Sequence, residues 1–229
     1  MVESAIAMGR ISVRCSLGAA GLFCLAVLLI YHETAWSMVS IWSRSDTFAH
    51  GFLILPISLW LIWTRRGLLV SLKPKPAFRV VLFVIPLSVV WLVAWLVDVT
   101  VIQQLTLVAT MVTGAWAVRG HQLTRLLLFP LLFLFFAVPV GEGLIPPMQQ
   151  FTARSAVWMI EMTGIPVYRE GLVFSLPSGS WEVVQACSGV RYIIASVTIG
   201  ALYAYLTYRS WTRRVFFVIV SAIVPVFAN

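Results

Sequence analysis

The residues best suited to chemistry lie in Trp181-Glu182-Val183-Val184-Gln185-Ala186-Cys187-Ser188-Gly189-Val190-Arg191. A Cys-Ser-Gly turn falls there between a polar, strand-like stretch and a long apolar run that opens with an arginine. A cysteine just ahead of a helix favours nucleophilic chemistry, because the unpaired N–H groups of the first turn stabilise a thiolate. Ser188 and Gly189 shape the turn, and Arg191, four residues after Cys187, would return to the same face of a continuous helix as an electrostatic helper. A lone cysteine is otherwise a small core residue, and here it is the flanking residues that favour catalysis. A second polar stretch, Ser45-Asp46-Thr47-Phe48-Ala49-His50-Gly51, carries His50, one of only three imidazoles available as a base. Its structural alternative is helix capping by Asp46 or Thr47, with His50 at the membrane interface. Glu142 and Glu170, both beside glycine, read as turn caps before they read as substrate-positioning acids.

What must position these residues follows from composition. The chain has 229 residues, 61% hydrophobic and 10% charged. A soluble domain carries about 25% charged residues, so a polytopic membrane protein is expected, with the lipid bilayer as its first partner. The net charge of +8 could point to nucleic acid. The basic residues, however, sit in short loops between apolar runs, where they report membrane topology, so no nucleic-acid partner is expected. Cys15, Cys24 and Cys187 stand in unrelated settings, which argues against a disulfide framework and a zinc site. No Walker loop, haem motif or pair of intramembrane carboxylates is present, and neither cofactor nor metal is expected. The first apolar run is long enough to be a retained span instead of a cleaved signal.

The fold class expected is all-α, with about seven transmembrane runs of about 17 to 20 apolar residues each. They are Leu17 to Ala35, Phe48 to Trp63, Val80 to Val97, Thr100 to Val118, Leu126 to Val140, Val190 to Tyr208, and an incomplete run from Val215 to Asn229. Asp98 marks a very short turn between the third and fourth. By this division spans two to five hold no buried charge, which leaves a proton-coupled transporter poorly supported. Trp36, Trp42, Trp60, Trp63 and Trp181 fit aromatic belts at the membrane interfaces. With the N-terminus inside, Arg10, Arg14, Arg65, Arg66, Lys73, Lys75, Arg79, Arg119, Arg125, Arg209, Arg213 and Arg214 are cytoplasmic, 12 of the 16 basic residues. The positive-inside rule then puts Cys187 on the outer side, together with His50 and His32; His121 faces the cytoplasm. The outer connection, residues 141–187, divides into an amphipathic helix over Met148 to Thr163, broken at Gly164-Ile165-Pro166, and a β-hairpin over Val167 to Val184 centred on Pro177-Ser178-Gly179.

Three stretches carry a family resemblance: Ser45 to Trp63 (SDTFAHGFLILPISLWLIW), Arg169-Glu170-Gly171, and above all Gln185 to Arg191 (QACSGVR). Over nearly the whole chain the sequence resembles the exosortases, nearest to the exosortase A type of Gram-negative bacteria and related to the archaeosortases. The resemblance implies a single integral-membrane domain in the inner membrane and a cysteine protease or transpeptidase with Cys187 on the periplasmic side. The implied partners are membrane-anchored proteins with C-terminal PEP-CTERM sorting signals, in strains that make exopolysaccharide. Two departures stand out. Gln185 replaces the usual glutamate. The family's cysteine also works with an arginine that follows an Asn at the outer end of the next span, and with a histidine beyond it. Val224 to Asn229 matches the lead-in to that arginine, so the resemblance implies a C-terminally truncated chain lacking both partners and turning over poorly. The alternative, from another class, is a non-catalytic membrane component of a polysaccharide-export assembly, in which the thiol is dispensable.

Overall fold

A computed structural model describes residues 18–71 and 75–229. Arg10, Arg14, Cys15 and Lys73, which enter the topology and cysteine arguments, lie outside the described residues. The chain forms two compact units, Met1–Pro139 and Val140–Asn229. Among the described residues, four helices are long and apolar enough to cross a membrane, or up to six if two bent pairs each count as one span. The all-α polytopic membrane class therefore holds, with fewer full spans than the seven expected.

The first unit is where the described helices depart from the expected apolar runs. The expected first span is broken at Tyr31: α1 (Gly18–Ile30) and α2 (His32–Arg44) meet at 85°. The second is α3 (Gly51–Thr64), 14 residues long, or about 21 Å at 1.5 Å per residue, against a hydrocarbon core of about 30 Å. After the short α4 (Arg66–Ser71), a 3-10 turn (Phe78–Phe83) runs into α5 (Val84–Leu96). Only 11% of the Phe78–Leu96 window is buried, so this span shows its apolar surface to lipid. The fifth expected span is divided into α7 (Leu128–Phe133) and a 3-10 turn, Leu134–Ala137, that ends in extended backbone at Val138.

The hairpin of α5 and α6 (Thr100–Leu126) is the best-defined pair in this unit. Asp98 turns it at φ 55°, a left-handed conformation that a short polar side chain tolerates. At its other end the Ala77 N–H donates to Ala117 O at 2.8 Å. Gly120 (φ 77°, ψ 173°) breaks the helix just beyond, where an added Cβ would strike the Lys75 carbonyl. The loop holding Lys75 and Arg79 therefore lies beside the end of α6. That contact moves one expected residue: Arg119, assigned to a cytoplasmic loop, is helical and buried at 5% exposure. The fourth span is thus longer than Thr100 to Val118, and the region is not free of buried charge.

Polar side chains join α2 to this hairpin. Trp91 Nε1–H donates to Thr34 Oγ1 (3.1 Å), Gln104 Nε2–H donates to Ser37 Oγ (2.9 Å), and the Tyr31 and Ser88 hydroxyls pair at 3.2 Å. In a bilayer such bonds matter because hydrocarbon offers no drive for one apolar helix to pack on another. Trp42 is corrected as well. It is no belt residue but buried, with Nε1–H donating to Ala137 O at 2.8 Å and its ring over Gly51, where a Cβ would collide with the indole. Trp36, Trp60, Trp63 and Trp181 are exposed, as a belt requires.

In the second unit a 3-10 turn (Glu142–Leu144) leads into α8 (Ile145–Glu161). The helix starts ahead of Pro146-Pro147, not after them, because first-turn prolines forgo only N–H groups that have no partner in the helix. The expected hairpin is a three-stranded antiparallel meander of β1 (Tyr168–Glu170), β2 (Val173–Leu176) and β3 (Gly179–Glu182). The β2–β3 register pairs Leu176 with Gly179, leaving Pro177-Ser178 as the connecting turn, and β1 adds a strand through Arg169 opposite Phe174. Two spans follow, α9 (Val190–Thr207) and α10 (Trp211–Ala228). They pack closely where Gly200 faces Ser221, since a Cβ on Gly200 would overlap the Ser221 side chain.

Candidate active site

Cys187 sits in a 3-10 turn, Gln185–Ser188, between β3 and α9. Its thiol is free and the residue is exposed. Its backbone is held from both sides: the N–H donates to Val184 O at 2.9 Å, and the carbonyl accepts from Asn229 Nδ2 and Thr152 Oγ1, both at 3.1 Å. Asn229 Nδ2 also donates to Thr152 Oγ1 at 2.9 Å. The one hydroxyl proton of Thr152 is shared between Cys187 O and Met148 O, the latter at 3.0 Å. Three residues earlier on the same face of α8, Gln149 Nε2–H donates to Val183 O at 3.1 Å. One helix face thus fixes both the exit from β3 and the turn bearing the thiol.

Gly189 makes the turn possible. At φ 67° it is left-handed, a conformation costing roughly 1–2 kcal/mol for a residue with a Cβ. A Cβ there would also lie 2.5 Å from the Asn229 side chain. Ser188 is buried, and its Oγ accepts from the Val190 N–H at 3.4 Å, near the limit of a hydrogen bond. Because Gly189 interrupts the chain, Cys187 is not on the helix that contains Arg191. The four-residue spacing therefore gives no shared helical face, and Arg191 stands exposed in the first turn of α9.

His50 belongs to the first unit. Its Nδ1 lies 3.2 Å from Thr47 O and its Nε2 3.2 Å from Phe136 O. The ring thus links the start of α3 to the turn at residues 134–137, and His50, the residue at the N-cap of α3, makes no side-chain cap there. His121 accepts from Trp116 Nε1–H at 2.7 Å. Among the described residues no group of three or more His, Cys, Asp or Glu side chains is placed to hold a metal ion. The turn residues Cys187, Ser188 and Gly189 are the ones legible in advance; Thr152, Gln149 and Asn229 were not singled out. The available signal was the three-residue spacing of Gln149 and Thr152 on an amphipathic helix.

The model of the family described as transmembrane exosortase (Exosortase_EpsH) matches residues 42–229, from the buried Trp42 through the turn to Asn229. No curated protein and no solved structure matches the chain. With most of its length covered by that family model, and with apolar helices long enough to span a bilayer, the chain belongs to the transmembrane exosortases.

Proposed function

We propose that this chain is a membrane-embedded cysteine protease or transpeptidase of the inner membrane that cleaves and sorts proteins bearing C-terminal PEP-CTERM signals, in cells that make exopolysaccharide. One observation carries the proposal: an exposed thiol on a turn whose carbonyl is held by Thr152 and Asn229. A nucleophile must be accessible, yet fixed well enough to meet a carbonyl at bonding distance. The Cys187 thiolate attacks the scissile carbonyl carbon to form a tetrahedral oxyanion. Collapse breaks the C–N bond as the departing nitrogen takes a proton from solvent, leaves a thioester on Sγ and releases the signal fragment as an amine. An acceptor amine or water then attacks the thioester and returns the thiolate. Ser188 and Gly189 shape the turn, and Arg191 supplies positive potential at the start of α9. His50 is the weaker candidate for a proton-transfer role.

Sidedness is part of the proposal. Asn229 Nδ2 bonding to Cys187 O puts the end of α10 beside the turn. Arg209, Arg213 and Arg214 therefore occupy the opposite end of the α9–α10 pair. Positive-inside topology makes that end cytoplasmic and the thiol periplasmic. The test uses membranes carrying the chain or Cys187→Ala. A tagged protein ending in a Pro-Glu-Pro signal, an apolar span and a basic tail is the substrate. Expected is a size shift that disappears with Cys187→Ala. Processing that survives this substitution would remove the thiol from the reaction.

A further inference from the structure

The sheet beside the thiol has an open edge. In the order β1-β2-β3 the last strand, β3, is an outer one, and all four of its residues are exposed. The phase of the ladder fixes where its backbone points. The Val183 N–H donates to Leu172 O at 3.0 Å, in register with Phe174 opposite Trp181. Bonded pairs alternate along an antiparallel ladder, so Gly179 and Trp181 turn their N–H and C=O groups toward β2. Ser180 and Glu182 turn theirs outward, where among the described residues they meet no partner. A free strand edge is a template for another chain, and folds commonly blunt it with proline, lysine or a bulge. β3 has none of the three: Gly179-Ser180-Trp181-Glu182 pairs residue for residue with β2. The β1 edge differs. By the same phase only Arg169 of its three residues faces outward, and the Arg169 side chain folds back, its Nε–H donating to Gly171 O at 2.9 Å.

We infer that β3 is the substrate-docking edge: an extended segment of the target protein adds to it as a fourth strand and is led past Cys187. The inference rests on the cysteine protease or transpeptidase reading and states how that site holds its substrate. Continuity with the nucleophile selects this occupant. Cys187 lies five residues beyond Glu182 on the same chain, at most about 18 Å away, and part of that path is the 3-10 turn. A segment paired with Ser180 and Glu182 therefore reaches the thiol within a few residues of its own. Strand addition reads the main chain, so selectivity comes from side chains beside the new strand. Trp181, 57% exposed, is the one large apolar group on β3 and favours an apolar residue next to it. A second copy of the chain could also pair at this edge. Two chains joined there would each cover the strand that leads to the other's thiol, which is why the substrate is the better occupant.

The test is disulfide capture in membranes, with the full chain carrying Cys15→Ala, Cys24→Ala and Cys187→Ala so that capture does not depend on turnover. Ser180→Cys or Trp181→Cys is added singly. The substrate is the tagged protein with a Pro-Glu-Pro signal, an apolar span and a basic tail, bearing one cysteine at successive positions before the span. Paired strands hold facing Cα atoms about 4.5–5.5 Å apart, within disulfide reach. Expected is capture at every second substrate position by Ser180→Cys and at the intervening positions by Trp181→Cys, because successive side chains leave a strand on opposite faces. Tyr168→Cys on the β1 edge should show no such period. Ser180→Pro removes an outward N–H that β2 does not use and should lower capture by Trp181→Cys about two- to tenfold, the range for one hydrogen bond. Ser180→Ala should leave it unchanged. Capture without a two-residue period overturns the inference, as does equal capture from β1, or disulfides between two copies of the chain in place of substrate. Processing by the unaltered chain is scored separately. Processing with no period at β3 removes the docking edge and spares the thiol chemistry; periodic capture with no processing does the reverse.

Discussion

The turn around Cys187 shows how few atoms decide whether a thiol is presented or merely present. Its carbonyl has two donors, and one of them, Thr152, is itself held by Asn229. Thr152→Val keeps the shape and removes both roles of the hydroxyl. Loss of one such bond costs about 0.5–1.5 kcal/mol. Thr152→Val should therefore lower thermal stability slightly while changing the rate at which a maleimide alkylates Cys187. An unchanged alkylation rate would mean that the hydroxyl does not position the turn. Gly189→Ala adds a Cβ at positive φ and against Asn229, so it should cost more than Thr152→Val in the same two measurements. The cysteine and its glycine were legible because a turn before an apolar run has a local signature. Thr152 and Asn229 were not, because they reach Cys187 across 35 and 42 residues of chain.

Among the elements, spans that face lipid were the ones read well. The expected Val80 to Val97 is found at Phe78–Leu96, and Val190 to Tyr208 at Val190–Thr207, because length and apolarity alone define such helices. Reading failed where a tertiary contact sets the boundary. Nothing local in the sequence near Val118 announces that the loop at Lys75 and Ala77 will pack on Ala117 and Gly120, carrying α6 past its expected end and burying Arg119. The break at Tyr31 was missed for a similar reason, since its ring packs at 4.7 Å on Trp91 of a later helix. The α9–α10 pair offers a direct test of close approach. Gly200→Leu should separate these helices and destabilise the protein by about 1–3 kcal/mol, the usual cost of overpacking. Adding Ser221→Gly to Gly200→Ala should recover part of the smaller loss caused by Gly200→Ala alone. Thermal unfolding in detergent reads both, and strictly additive effects would show that the two positions do not touch.

For the whole molecule, the charge pattern makes a prediction that needs no substrate. If the basic ends of the α5–α6 and α9–α10 hairpins are cytoplasmic, a membrane-impermeant maleimide added to intact spheroplasts should label Cys187. Cys187→Ala should abolish that labelling. A cysteine placed at Arg213 should stay unlabelled until the membrane is opened. Reversal of the two accessibilities would invert the topology. Composition made the membrane class legible, because the bilayer imposes its demands on the chain without regard to the details of packing, and loop charge supplies the sidedness that this labelling tests.

The hydrogen bond from Asn229 to Cys187 O also bears on how the protein is made. Chains enter the membrane from the N-terminus, at about 5–20 residues per second, and Cys187 emerges 42 residues before the side chain that secures its carbonyl. Until α10 has been inserted and laid against α9, the thiol rides on a turn tethered by Thr152 and the local Val184 bond alone. Full securing of the Cys187 turn therefore waits on insertion of α10 and completion of the α9–α10 hairpin. A half-inserted chain carries the cysteine without its finished setting.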